Sequence, residues 1–288
     1  MKMKTGDGLE LFYHLTGTGI PCVYLHGGPG YWSKSFQHFA NGFLENFLQM
    51  VYLDQRGCGR SEHSATQDYS LKRLIDDIEE LRKFLGIEEW FVMGHSFGGI
   101  LAVNYAQRFP HRTKGLILSN ATLNMFNSFQ HQMRAGSAIL GLDDGDICTE
   151  DLTSFINTYY SILIKLLEKD GYFKFQYKNL DNKQNVDLID QEGLNSDPGF
   201  QRYVFSSKEY FQDFTTLTEN ILKPVLVIAG KDDHAVGPNH QQLFRFPNAE
   251  LKILNSGHHP YIENQSEFKA AVLDFVHQVG LRKEIQKS

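Results

Sequence analysis

The chain has 288 residues, of which 41% are hydrophobic and 22% charged. That balance belongs to a globular protein and excludes a disordered, fibrous or low-complexity chain. Lys and Arg number 28 against 34 Asp and Glu, a net charge of -6, which argues against a nucleic-acid partner.

The length suits one large domain, or a domain carrying an insertion. Cys22, Cys58 and Cys148 are an odd, widely spaced set without a CxxC pair, so neither a disulfide framework nor a cysteine metal site is expected. No apolar stretch follows the basic N-terminal residues, and no run reaches membrane-spanning length. A cytoplasmic protein without a membrane partner is the expectation.

Short apolar runs alternate with turns through the first hundred residues. Strands are expected at Leu9 to His14, at Pro21 to His26 before Gly27-Gly28-Pro29-Gly30, and at Gln49 to Asp54 before Gln55-Arg56-Gly57. Ser70 reads as an N-cap for a helix with Leu71, Leu74, Ile75, Ile78, Leu81 and Leu85 on one face, and Gly86 ends it. A strand at Trp90 to Gly94 turns at Ser96 into a helix over Gly98 to Arg108, and Thr113 to Ser119 is strand again.

The alternation stops near residue 120 and resumes at Pro224. Val225 to Ala229 and Glu250 to Leu254 read as strands, with a short helix between them around Asn239 to Phe246. A terminal helix carries Phe268, Val272, Phe275, Val276 and Val279. Strands separated by helices predict an α/β fold with a mostly parallel sheet covered on both faces. Residues 123–221 hold 15 acidic and 8 basic residues and helical patterns at Phe126 to Leu140 and Leu152 to Lys169. They read as an inserted helical cap between a first catalytic part, 1–122, and a second, 222–288.

Gly94-His95-Ser96-Phe97-Gly98 is a G-x-S-x-G sequence between an expected strand and an expected helix, the context this turn requires. A serine there projects its hydroxyl beyond the sheet, while the helix N-terminus faces developing negative charge. A base must take its proton, and an acid must orient that base. Asp232 and Asp233 follow one late strand, and His258 and His259 follow the last. Ser, Asp, His is the chain order of hydrolases with this turn. The N–H groups of Phe97 and Gly28 are the candidate oxyanion donors. No P-loop, no dinucleotide loop and no H-E-x-x-H spacing is present, so no cofactor and no metal are expected.

His26-Gly27-Gly28-Pro29-Gly30 and Asp54-Gln55-Arg56-Gly57-Cys58-Gly59-Arg60-Ser61, with the serine turn, resemble the proline iminopeptidase-like branch of the α/β-hydrolase superfamily. The resemblance covers both parts outside the insertion, about two thirds of the chain. It implies an α/β-hydrolase fold with Ser96 as nucleophile and Gly28 and Phe97 as oxyanion donors. A G-x-x-D loop selects Asp233 as the acid, and S-G-H selects His258 as the base. Arg56 and Asp54 are expected to brace the site, and the spare His259 to pack against the cap or face solvent.

Many prolyl aminopeptidases carry tryptophan where this chain has Phe97. Relatives that cleave N-terminal residues bind the substrate ammonium with cap carboxylates, and Glu192, Glu209 and Asp213 are the candidates here. The implied activity is release of N-terminal proline or another small residue from short peptides. A carboxylesterase or amidase on small acyl compounds is the alternative, and a ligand-sensing protein with little turnover is a third.

Overall fold

The computed structural model describes residues 1–142 and 151–285. Cys148 lies outside them. Eight strands form one sheet: β1 (Lys2–Lys4), β2 (Glu10–Thr16), β3 (Ile20–Leu25), β4 (Leu48–Leu53), β5 (Trp90–His95), β6 (Thr113–Ser119), β7 (Val225–Gly230) and β8 (Ala249–Leu254). Their spatial order is β1-β2-β4-β3-β5-β6-β7-β8. The β1–β2 and β2–β4 pairs are antiparallel, and every pair from β4 onward is parallel.

The strand sequences alternate between two cores, because successive side chains leave opposite faces. Val23, Leu25, Val51, Leu53, Val92, Leu116 and Leu118 enter one core. There they meet α2 (Leu71–Phe84) and α3 (Gly98–Arg108). Cys22, Tyr24, Met50, Tyr52, Phe91, Met93 and Ile117 enter the other. There α1 (Lys34–Ala40) and α8 (Gln265–Ile285) close the face, α8 through Phe268, Val272 and Phe275.

Ser70 caps α2 by accepting from the Arg73 N–H, and Gly86 leaves the helix in the left-handed region. β1 and α1 are elements that the sequence pattern did not announce. The helix expected around Asn239 to Phe246 shrinks to one 3₁₀ turn, His240–Leu243.

Between β6 and β7 lie α4 (Met125–Leu140), α5 (Leu152–Glu168), α6 (Leu180–Asp190) and α7 (Pro198–Ser206). Asn124, Asp151, Asn179 and Asp197 cap them with side-chain oxygens. These helices share a cavity with Gly27, Ser96, Thr122, Ala235 and His258, which follow the C-terminal ends of β3, β5, β6, β7 and β8. The helices therefore cover the strand ends where ligands bind in open α/β sheets. Among the described residues no helix is long and apolar enough to cross a membrane.

Candidate active site

Ser96 sits where β5 gives way to α3, with φ of 53°. Its carbonyl accepts from the Gly99 and Thr122 N–H groups, and its own N–H donates to the Ser119 carbonyl at 3.3 Å. The turn is so tight that its glycines have no room for a side chain. A Cβ on Gly98 would stand 2.1 Å from the Leu25 carbonyl oxygen, and one on Gly94 would stand 2.5 Å from the Gly98 oxygen.

Asp233 follows β7 and is fully buried. Its Oδ1 accepts from the N–H groups of Ala235 and Val236, at 2.9 and 3.2 Å. Its Oδ2 accepts from Asn120 Nδ2 at 2.7 Å and faces His258 Nδ1 at 2.9 Å. Burial raises the carboxyl pKa, but the charge and hydrogen bond of His258 and the Asn120 amide outweigh it and hold it below the usual value. Asp232 instead points outward and pairs with Lys178 at 2.9 Å.

The backbone of His258 is pinned on both sides. Its N–H donates to the Gln176 carbonyl at 2.8 Å, and its carbonyl accepts from His95 Nε2 at 2.9 Å. Burial, then the neighbouring His258 charge, lowers the His95 pKa to about 3, so its ring stays neutral. His259 is also buried. It meets Tyr261 at 2.8 Å and Gln176 at 3.1 Å and stacks on Tyr177, so it packs against the segment between α5 and α6.

The loops beneath are braced as expected. Asp54 accepts from the Ser33 N–H at 2.8 Å and from Arg60 Nε at 2.7 Å. Arg56, fully buried, pairs with Asp77 at 2.6 Å and Asp7 at 3.0 Å, which gives the buried cation the partners it requires. The Gln55 N–H donates to His26 Nε2, so His26 carries its proton on Nδ1 and donates it to the Gly27 carbonyl. Burial lowers the His26 pKa to about 4. Cys58 is buried, and that burial pushes its thiol pKa well up, as for an inert core cysteine.

Gly28, Ser96, Phe97 and His258 line one cavity of ≈ 470 Å³. Its far wall is aromatic, with Phe129, Tyr159 and Phe205 packed ring on ring. The three cap carboxylates singled out in the sequence do not reach it. Glu192 is exposed and pairs with Lys34 at 2.5 Å. Glu209 accepts from Tyr203 and the Leu71 N–H. Asp213 caps the turn at Thr215.

The carboxylates that do line the cavity are Asp187, paired with Lys183, and Asp190. Asp190 Oδ1 accepts from Tyr31 at 2.8 Å and Trp32 Nε1 at 2.9 Å. Among the described residues its Oδ2 accepts from none. Burial raises its pKa, against the two donors. Among the described residues no group of three or more His, Cys, Asp or Glu is gathered as metal ligands.

The sheet order and the serine elbow define a hydrolase class. Residues 21–265 match the model for the alpha/beta hydrolase fold, and the chain belongs to that family, in its proline iminopeptidase-like branch. It is 42% identical over 280 residues to the proline iminopeptidase of Neisseria meningitidis serogroup B, covering 88% of this chain and 87% of that one. In fold it is similar to a proline iminopeptidase-related protein from Thermus thermophilus, with TM-score 0.83, 22% identity and 97% of each chain covered. It is also similar to an esterase from Exiguobacterium antarcticum, with TM-score 0.71, 18% identity, and 96% and 99% covered.

Proposed function

We propose that the protein is a serine aminopeptidase that releases N-terminal proline or another small residue from short peptides. The observation that carries this reading is Asp190, a carboxylate with one oxygen that accepts from none of the described residues, in the cavity that also holds Ser96 and His258. An N-terminal ammonium complements that oxygen, and the aromatic wall accommodates a small apolar ring. The proline iminopeptidase relative of similar length supports the same reading.

In the proposed reaction His258 takes the Ser96 proton as Ser96 Oγ attacks the acyl carbon. The N–H groups of Gly28 and Phe97 hold the oxyanion. His258 then gives the proton to the leaving amine, and water activated by the same ring releases the amino acid. Asp233 fixes the imidazole tautomer and stabilises its charged form.

The aromatic wall also favours a second reading, an esterase or amidase acting on small apolar acyl groups. The deciding assay compares proline and alanine p-nitroanilides with short-chain p-nitrophenyl esters, using Ser96→Ala as control. Amide turnover that needs a free amino group and disappears in the variant is expected. Ester turnover alone would move the assignment to the second reading.

A further inference from the structure

The main cavity has a neighbour. A groove of ≈ 380 Å³ runs between α5 and α7, and among the described residues those two helices line it. Tyr160, Gln201 and Phe205 line both the groove and the main cavity, so the two are separated by a wall one side chain thick. The Tyr160 and Phe205 rings stand 6.1 Å apart, and Gln201 is exposed at the rim the two spaces share.

Among the described residues the groove has one charged lining residue, Arg202. Its guanidinium makes no ion pair among the described residues. Asn157 and Gln201 add amide groups that can both donate and accept.

We infer that this groove is the subsite for the far end of the substrate, with Arg202 taking the terminal carboxylate of a short peptide. The inference rests on the aminopeptidase reading. A peptide held by its first residue must send the rest of its chain out of the cavity, and the rim at Gln201 leads into the groove. An extended chain advances about 3.3–3.6 Å per residue, so crossing a wall of one side chain takes about two residues. Carboxylates on α6 and a guanidinium on α7 then complement the two ends of a zwitterion. The substrate class is tri- and tetrapeptides with free carboxylates.

The test compares Pro-Ala, Pro-Ala-Ala and Pro-Ala-Ala-Ala as free acids and as C-terminal amides. Proline release is measured with the wild type, Arg202→Ala and Arg202→Glu. An exposed ion pair predicts about a fivefold preference in kcat/KM for the acid at the tripeptide or tetrapeptide. That preference should vanish in Arg202→Ala and reverse in Arg202→Glu. Equal rates for acid and amide at every length in the wild type, or a preference that survives Arg202→Ala, overturn the groove assignment alone. Absence of proline release from every peptide overturns the aminopeptidase reading, and the groove assignment with it.

Discussion

Asn120 and His258 share one oxygen of Asp233: the Asn120 amide donates to Oδ2 at 2.7 Å, and His258 Nδ1 stands 2.9 Å from the same atom. Asn120 also donates to the Gly257 carbonyl, one residue before His258, at 3.1 Å. One side chain thus ties the loop after β6 to the loops after β7 and β8. Asn120 has φ of 47°, where asparagine and glycine are tolerated better than alanine. Asn120→Gly therefore removes the amide without adding backbone strain. It should lower kcat/KM about tenfold, the worth of a hydrogen bond to a charged group. Asn120→Ala should match it in activity but melt lower. Kinetics and thermal unfolding of both variants check this.

The two adjacent aspartates give a sharper contrast. Asp233→Asn should reduce kcat by about 10⁴ with the fold intact, because the amide favours the wrong imidazole tautomer. Asp232→Asn removes only an exposed pair with Lys178 and should stay within about twofold of the wild type. Parallel steady-state assays decide it, and equal losses in both would reassign the acid.

Asp190 should act through substrate charge. Asp190→Asn is expected to raise KM for proline p-nitroanilide about tenfold, the worth of a charge-assisted hydrogen bond, and to cost much less with an ester that lacks an amino group. The raised pKa adds a pH signature. Ammonium binding should weaken as pH falls through that raised value, and the variant should lose this dependence. KM measured across the acid range for both enzymes tests the sign.

Stability should fall on the acid side of neutrality. His26 and His95 have pKa values lowered to about 4 and about 3, while an unfolded histidine titrates near 6.5. The unfolded chain therefore binds more protons below pH 6.5. The stabilising contribution is fully present above that value and is lost as pH falls toward the folded values. Each ring costs about 1.4 kcal/mol per pH unit in that window. Urea unfolding at about pH 7.5, 6 and 5 should show a falling midpoint. His95→Asn, which cannot titrate, should flatten the slope.

The sheet was readable because β3 to β7 are short apolar runs buried on both faces and bounded by turns, and α2 carries its own start and stop in Ser70 and Gly86. The residues that meet at the candidate site belong to short motifs at the C-terminal ends of parallel strands, which the sheet brings to one edge; chain order left Asp232 or Asp233 and His258 or His259 open, and the resemblance chose between them. The cap was less legible. Glu192 and Asp190 lie two residues apart at the end of α6, one turned to Lys34 outside and the other to Tyr31 and Trp32 inside. Which faces inward depends on how α6 packs, and no local pattern encodes that. Asn120 was missed because a single asparagine after a strand carries no motif. His240–Leu243 closed to one turn because so short a stretch offers no second apolar turn to bury.

The left-handed backbone at Ser96 also limits what evolution can place there. A β-branched residue is disfavoured at that φ, so threonine is shut out although its hydroxyl could perform the attack proposed for Ser96. Cysteine and aspartate carry no such branch and fit the elbow. The repertoire of nucleophiles at this position is therefore set by backbone geometry before reactivity enters, and a change of chemistry could proceed by one substitution to either of those two while the surrounding glycines stay fixed.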